Sequence, residues 1–148
     1  MWTTIENLRE ISRCCHEGRP LDEDLSRWLA TSLERFLAHE CRSVDDALGL
    51  HFPRGGVPWW LEEAMRRRDA ALRELAHRFY PGRSVSARAR AIHDRANNYA
   101  GTAWRYDALH AEMPHYYAGT PKEPLWRAFK SGAPMPLGER QLRTILGG

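Results

Sequence analysis

The chain has 148 residues, a length that fits one domain or two small helical subdomains sharing a core. Hydrophobic residues make up 43% and charged residues 28%, a balance that is typical of globular proteins and excludes general disorder. The sequence has no long apolar window, no secretory signal and an odd number of cysteines, which excludes a membrane span and a disulfide framework and predicts a cytoplasmic protein.

The net charge of +3 is distributed unevenly along the chain. Residues 1–65 contain 7 Arg and 12 acidic residues, a net charge of −5, whereas residues 66–148 contain 15 basic and 7 acidic residues, a net charge of +8. This polarity suggests that the second half meets an anion such as nucleic acid. The alternative is a compositional preference for arginine, since the chain has 20 Arg and only 2 Lys.

Three helices are predicted in the acidic part. Thr3 and Glu6 have the spacing of a capping box and open a helix over residues 3–17. Residues 21–39 carry one apolar stripe over more than four turns, which predicts a second helix. The link between the two is short, so we expect them to lie antiparallel. A short third helix is predicted at 43–48.

Residues 51–58 are rich in glycine and proline and predict a loop between two subdomains. The first, residues 1–50, would be an acidic helical hairpin. The second, residues 59–148, would be basic and would end in a helix-turn-helix-like unit. The two are also compatible with one shared core.

The basic part is predicted to begin with a helix at 59–79 and a long helix that starts at Ser84 or Ser86 and ends at His110. Gly101 weakens the long helix and allows a local bend. No run of alternating β-branched residues and no Asn-Gly or Asp-Gly turn is present. The sequence therefore predicts an all-α protein of about six to seven helices.

The last predicted helices have the order of a helix-turn-helix. Thr120, Pro121 and Glu123 match a capping box with proline at the first helical position. A break at 131–136 and a final helix at 137–146 follow. This layout is typical of proteins that place their second helix in the major groove of DNA. The break is longer than the usual three- or four-residue turn and contains two prolines.

The final helix has an apolar side and a polar side. Its core-facing residues are predicted to be Leu137, Leu142, Ile145 and Leu146. The polar side then faces outward, where Arg can pair with guanine and Gln with adenine. The predicted base-contacting residues are Arg140, Gln141, Arg143 and Thr144.

Basic residues on the preceding helices are candidates for contacts with DNA phosphates. Arg127 and Lys130 belong to the helix before the turn, and Arg95 and Arg105 to the long helix. Lys122, Arg88 and Arg90 could add to them. The alternative interpretation is an ordinary solvated helix surface.

Several motifs of the second half resemble a loose group of small uncharacterised bacterial proteins with a C-terminal helix-turn-helix-like segment. The resemblance covers about the last half of the chain and carries no function over to it. The motifs are Tyr99-Ala100, Trp104-Arg105, Gly119-Thr120-Pro121, Leu125-Trp126-Arg127-Ala128, Pro136, Glu139-Arg140-Gln141-Leu142-Arg143 and Ile145-Leu146.

No motif predicts catalysis, a metal or a cofactor. Cys14, Cys15 and His16 end the first helix, whereas His39 and Cys41 end the second, so an antiparallel pair separates the two groups. The loop that contains His110, Glu112, His115 and Tyr116 lacks a recognisable nucleophile. We therefore expect no enzyme, no metal site and no cofactor. Aromatic residues such as Tyr99, Trp104, Trp126 and Phe129 are expected in the core rather than in a base-stacking platform.

A second hypothesis assigns the chain to helical protein-interaction modules, such as adaptors or inhibitors. The acidic half would dock a protein partner or form a homodimer if Trp2, Trp28 or Trp59 left an apolar patch on its surface. Proteins with a helix-turn-helix usually bind DNA as dimers, so this surface is compatible with both hypotheses.

Overall fold

The computed structural model describes residues 3–51 and 55–147, and within these ranges it is all-α, with no strand. The predicted fold class is confirmed. The described residues form eight α-helices and one 3₁₀ helix, against about six to seven predicted helices. The helices are α1 (Thr4–Glu17), α2 (Glu23–Leu37), α3 (Val44–Ala47), α4 (Trp59–Phe79), α5 (Val85–Gly101), α6 (Trp104–Asp107), the 3₁₀ helix (His115–Tyr117), α7 (Lys122–Lys130) and α8 (Glu139–Gly147).

The chain divides into two compact units, an N-terminal unit (Met1–Trp59) and a C-terminal unit (Trp60–Gly148). Residues 52–54 of the predicted loop at 51–58 lie outside the described ranges. Trp2, which was predicted as a possible patch residue, also lies outside them. No helix in the described residues is both long enough and apolar enough to cross a membrane.

Side-chain caps fix the helices of the N-terminal unit. The Thr3 hydroxyl accepts a hydrogen bond from the Glu6 amide, and the Glu6 carboxylate accepts one from the Thr3 amide, so the predicted capping box is present. Gly18, at φ 64°, ends α1 in the left-handed conformation that glycine adopts readily. Asp22 is the N-cap of α2, whose apolar face packs beside α3. The caps therefore set these boundaries locally.

The long helix predicted to reach His110 is interrupted, which corrects the prediction. α5 ends at Gly101, and Thr102 adopts φ −124° and ψ −103°. The Thr102 hydroxyl donates to the Asn98 carbonyl at 2.7 Å. The chain then restarts as the one-turn helix α6. Glycine and threonine both weaken a helix, and the helical spacing of Ala103 and Tyr106 conceals the break.

The new direction of α6 places a carboxylate inside the C-terminal unit. Asp107 is 8% exposed, and its Oδ2 accepts hydrogen bonds from the Tyr99 hydroxyl at 2.6 Å and the Tyr117 hydroxyl at 2.7 Å. These contacts join α5, α6 and the 3₁₀ helix at one buried atom. Trp104 and Phe129 pack against Tyr99, so these aromatic residues belong to the core.

The core of the C-terminal unit lies between α4, α5, α7 and α8. Its fully buried side chains include Leu72, Leu75, Ile92, Leu125 and Leu142. Among the described helices, α8 packs most closely against α5.

The segment between α7 and α8 spans residues 131–138 and is held at two points. The buried Arg68 guanidinium donates through Nη1 to the Pro134 carbonyl at 2.7 Å and pairs with Asp69. Arg67 of the same helix donates through Nη2 to the Ser131 carbonyl at 3.4 Å. The segment is therefore longer than the predicted six residues, but it is anchored to α4.

The start of α7 differs from the predicted capping box. The helix begins at Lys122. The Thr120 hydroxyl accepts from the Lys122 amide at 3.3 Å, as predicted for a cap, and also donates to the Tyr117 carbonyl at 2.6 Å. The Glu123 carboxylate accepts from the Gly119 amide at 2.9 Å. Thr120 and Glu123 therefore order this turn, but the Glu123 carboxylate binds the Gly119 amide instead of the Thr120 amide that a capping box would use.

Candidate nucleic-acid interface

The helix α8 has two sides of opposite character. Leu142 and Ile145 are buried in the core, whereas Arg140, Arg143 and Thr144 are exposed. Residues one or two positions away from a buried residue do not share its face, because successive side chains are about 100° apart on a helix. The core contacts of α8 therefore turn the Arg140 side of the helix outward.

The two arginines of α8 form no ion pair with Glu139, the acidic residue of the same helix, which lies beside Arg90 of α5 instead. No ion pair or hydrogen bond joins the guanidinium of Arg140 or Arg143 to another described residue, in contrast to Arg66 and Arg78 in the same unit. A guanidinium that has no partner retains all five N–H donors for a ligand. The outer side of α8 therefore presents two positively charged guanidinium groups that have no partner in the described part of the chain.

The first turn of α8 departs from the prediction at two positions. Leu137, which was predicted to face the core, is 95% exposed. Its amide donates at 3.0 Å to the side-chain oxygen of Gln141. A bidentate contact with adenine needs both the oxygen and the nitrogen of the glutamine amide, so Gln141 is engaged at the helix start rather than free for a base.

Thr144 also makes a contact within α8. Its hydroxyl donates to the Arg140 carbonyl one turn earlier, at 3.3 Å. The hydroxyl oxygen keeps its acceptor capacity and the methyl group stays exposed. Thr144 is therefore limited to accepting a hydrogen bond or to apolar contact.

The orientation of α8 is fixed at both ends by arginines from other helices. Arg73 of α4 donates through Nε to the Ile145 carbonyl at 3.0 Å, near the carboxyl end of α8. Arg90 of α5 lies 3.9 Å from the Glu139 carboxylate at its amino end. In a helix-turn-helix, the final helix packs against the helix that precedes it in the chain. Here α8 packs mainly on α5 and not on α7.

Two of the predicted phosphate contacts have intramolecular partners. Arg127 pairs with Glu74 at 2.7 Å, and the Lys130 ammonium donates to the carbonyls of Ala108 at 3.2 Å and His110 at 2.6 Å. Burial opposes ionisation of Glu74, but hydrogen bonds from Arg78 and Arg127 outweigh it and lower its pKa. Arg127 and Lys130 therefore tie α7 to its neighbours, which removes them from the set of free phosphate anchors.

The other two predicted phosphate contacts remain accessible. Arg105 is exposed on α6 and has no ion pair with a described residue. Arg95 is exposed on α5, and only its Nε is engaged, with the hydroxyl of Tyr80 at 2.9 Å. Neither arginine faces a carboxylate, so both retain donors for an anion.

The two other groups of residues considered for catalysis or metal binding are the cleft around His110 and the cysteines of the N-terminal unit. A cleft of about 540 Å³ is lined by Asp107, His110, Glu112 and Tyr116 together with Ala111 and Pro114, and none of these is a serine, threonine or cysteine nucleophile. In the N-terminal unit, Cys14 is buried and Cys15 is exposed. Within the described ranges, no group of three His, Cys, Asp or Glu residues has the arrangement of a metal site.

Comparisons with known proteins add no relative. No protein-family model matches the sequence, and no curated protein or solved structure is significantly similar to it.

Proposed function

We propose that this protein is a non-enzymatic, cytoplasmic DNA-binding protein, such as a small bacterial transcriptional regulator, whose α8 enters the major groove. The observation that carries the proposal is the exposed, unpaired state of Arg140 and Arg143 on a helix whose other side is anchored in the core. No cofactor is required.

The dimensions and chemistry of α8 suit this role. Its nine residues span about 13 Å at 1.5 Å per residue, and the major groove is about 12 Å wide. Arg140 and Arg143 can each donate to O6 and N7 of guanine. The exposed Leu137 and the Thr144 methyl can contact the methyl group of thymine. This face therefore offers both hydrogen-bonding and apolar contacts to bases.

The charge of the C-terminal unit supports attraction to a polyanion. Residues 60–148 contain 15 basic and 9 acidic residues, a net charge of +6, whereas residues 1–59 contain 7 basic and 10 acidic residues, a net charge of −3. Attraction to phosphates dominates non-specific DNA affinity and weakens steeply with salt. We therefore assign DNA binding to the C-terminal unit.

Alanine at Arg140 and Arg143 is expected to weaken DNA binding by about tenfold or more, because each lost bidentate contact costs about 1–3 kcal/mol. The measurement is fluorescence anisotropy, at about 150 mM salt, of a labelled duplex that carries a sequence selected by the wild type from a random duplex library. The matched control is Arg27→Ala/Arg66→Ala, which removes the same two charges from exposed, ion-paired positions. Equal affinities of the wild type, the double variant and the control would contradict the proposal.

A second candidate function, protein docking or homodimerisation, is favoured by an observation in the N-terminal unit. Leu33 and Leu37 lie one turn apart on α2 and are both exposed, Leu37 at 72%. Exposed apolar side chains that share one helix face are typical of interaction surfaces. The predicted patch residues Trp28 and Trp59 are half-buried and exposed, respectively.

This docking surface predicts a change of assembly state. Analytical ultracentrifugation is expected to show self-association of the wild type that Leu37→Glu abolishes, because a charge at the contact prevents burial of the leucine face. Ala30→Glu, an exposed substitution on the same helix, serves as the control. A wild type that remains monomeric at all concentrations excludes the homodimer and leaves only a heterologous partner for this face.

A further inference from the structure

Three arginines surround one tyrosine at the junction of α4 and α5. Arg88 donates through Nε to the Tyr80 backbone carbonyl at 2.9 Å, and Arg95 donates through Nε to the Tyr80 hydroxyl at 2.9 Å. The Arg83 guanidinium carbon lies 5.2 Å from the centroid of the Tyr80 ring. We call Arg83, Arg88 and Arg95 the Tyr80 arginine cluster.

The positive charges of this cluster have no counterion in the described part of the chain. None of the three guanidinium groups forms an ion pair with a carboxylate. Three like charges close together are unfavourable unless solvent or an anion compensates them. The contacts of Arg88 and Arg95 use only Nε, so the Nη groups of both side chains remain available as donors.

The start of α5 adds to the positive potential at this place. Arg83 directly precedes Ser84, the N-cap of α5, and the first turn of this 17-residue helix contains no acidic residue. The amino end of a helix is favourable for negative charge, and most helices meet it with their own Asp or Glu. Here no such side chain competes with an external anion.

The arrangement suits a row of phosphates better than a single one. Arg88 contacts the backbone end of Tyr80, Arg83 its ring and Arg95 its hydroxyl end, so the charges are spread along the residue instead of converging on one point. Planar guanidinium groups bind phosphate oxygens in bidentate pairs.

We propose that the Tyr80 arginine cluster binds consecutive phosphate groups. The phosphates belong either to the backbone of a nucleic acid or to a free polyphosphate. The site shares no residue with the outer side of α8, so it goes beyond the proposed function and does not depend on base contacts by that helix.

Isothermal titration calorimetry with inorganic tripolyphosphate, at constant ionic strength, tests the site directly. The wild type is expected to bind, and Arg88→Gln/Arg95→Gln is expected to bind about tenfold or more weakly, because it loses two guanidinium groups that make charge-assisted hydrogen bonds to phosphate. The matched control, Arg66→Gln/Arg67→Gln, removes two charges from exposed positions of α4 in the same unit and is expected to bind like the wild type. Tyr80→Phe, which keeps the ring and the carbonyl, is expected to give an intermediate loss.

The same variants with duplex DNA identify the source of the phosphates and separate this site from α8. Loss of affinity for both probes in Arg88→Gln/Arg95→Gln supports the site with a nucleic-acid backbone as ligand. If this variant loses affinity for tripolyphosphate alone, the site is supported with a free polyphosphate as its ligand. DNA binding is then tested only by the Arg140 and Arg143 variants. Absence of tripolyphosphate binding to the wild type, or an equal loss in the control, overturns the site even if DNA binds through α8.

Discussion

Replacing Asp107 with alanine is expected to destabilise the C-terminal unit by about 2–5 kcal/mol, because two buried tyrosine hydroxyls lose their acceptor and each unsatisfied buried group costs about 1–3 kcal/mol. The two hydroxyls, of Tyr99 and Tyr117, donate to the same Oδ2 atom. Native proteins have only about 5–15 kcal/mol of stability, so the effect is a large fraction of the total.

Urea denaturation followed by far-ultraviolet circular dichroism measures this loss. Asp107→Asn keeps an acceptor oxygen without the charge and is expected to give a smaller loss. Asp94→Ala, an exposed acidic residue of α5 with no partner in the described structure, is the matched control and is expected to change stability by less than about 0.5 kcal/mol. An Asp107→Ala variant as stable as this control would show that the network is not structural.

The same network makes stability depend on alkaline pH. Burial and then the hydrogen bond to Asp107 raise the pKa of Tyr117 to about 12 and also raise the pKa of Tyr99. The unfolded chain therefore releases these protons at lower pH than the folded chain, and stability falls as the pH rises from about 10 to about 12. In Asp107→Asn this loss is expected to be smaller, because the negative charge that disfavours ionisation of the two tyrosines is gone.

Replacing Arg68 with alanine is the second change with a large expected effect, about 2–3 kcal/mol of lost stability, because the half-buried Asp69 carboxylate and the Pro134 carbonyl lose their donor. Arg68 is 5% exposed. Its guanidinium bonds Asp69 through Nε and Nη2 and the Pro134 carbonyl through Nη1. The substitution also releases the segment that connects α7 to α8.

Arg66 provides the control for Arg68, since it lies two residues earlier on the same helix and forms an exposed pair with Glu62. Arg66→Ala is expected to cost less than about 1 kcal/mol, as is usual for surface salt bridges. Chemical denaturation of the two variants side by side gives the difference. Equal unfolding midpoints would mean that the contacts of Arg68 with Asp69 and Pro134 add nothing to stability beyond an exposed ion pair.

The sequence predicted the helices best where their boundaries are set locally. Thr3 and Glu6 fix the start of α1, Ser43 caps α3 and Ser84 caps α5, all through contacts within one turn. The end of α5 depends on a contact between residues that are not neighbours on one helix. The Tyr99 hydroxyl donates to Asp107, which lies on α6 beyond the break at Gly101. No helical period contains that information, so the break at Gly101 was predicted only as a bend.

The candidate site was predicted in part, for similar reasons. The burial of Leu142 and Ile145 follows from their spacing, and it turns Arg140 and Arg143 outward. The roles of Leu137 and Lys130 depend on tertiary contacts and on the path of the connecting segment. The triplet Arg66-Arg67-Arg68 shows the same limit, because only the fold distinguishes the buried Arg68 from its exposed neighbours.

Selection from a random duplex library, followed by sequencing, tests whether the outer side of α8 recognises bases. The wild type is expected to enrich a short, guanine-containing motif, whereas Arg140→Ala/Arg143→Ala is expected to retain DNA at low salt but to enrich no motif. A wild type that enriches no motif, or a double variant that enriches the same motif as strongly, would contradict the claim.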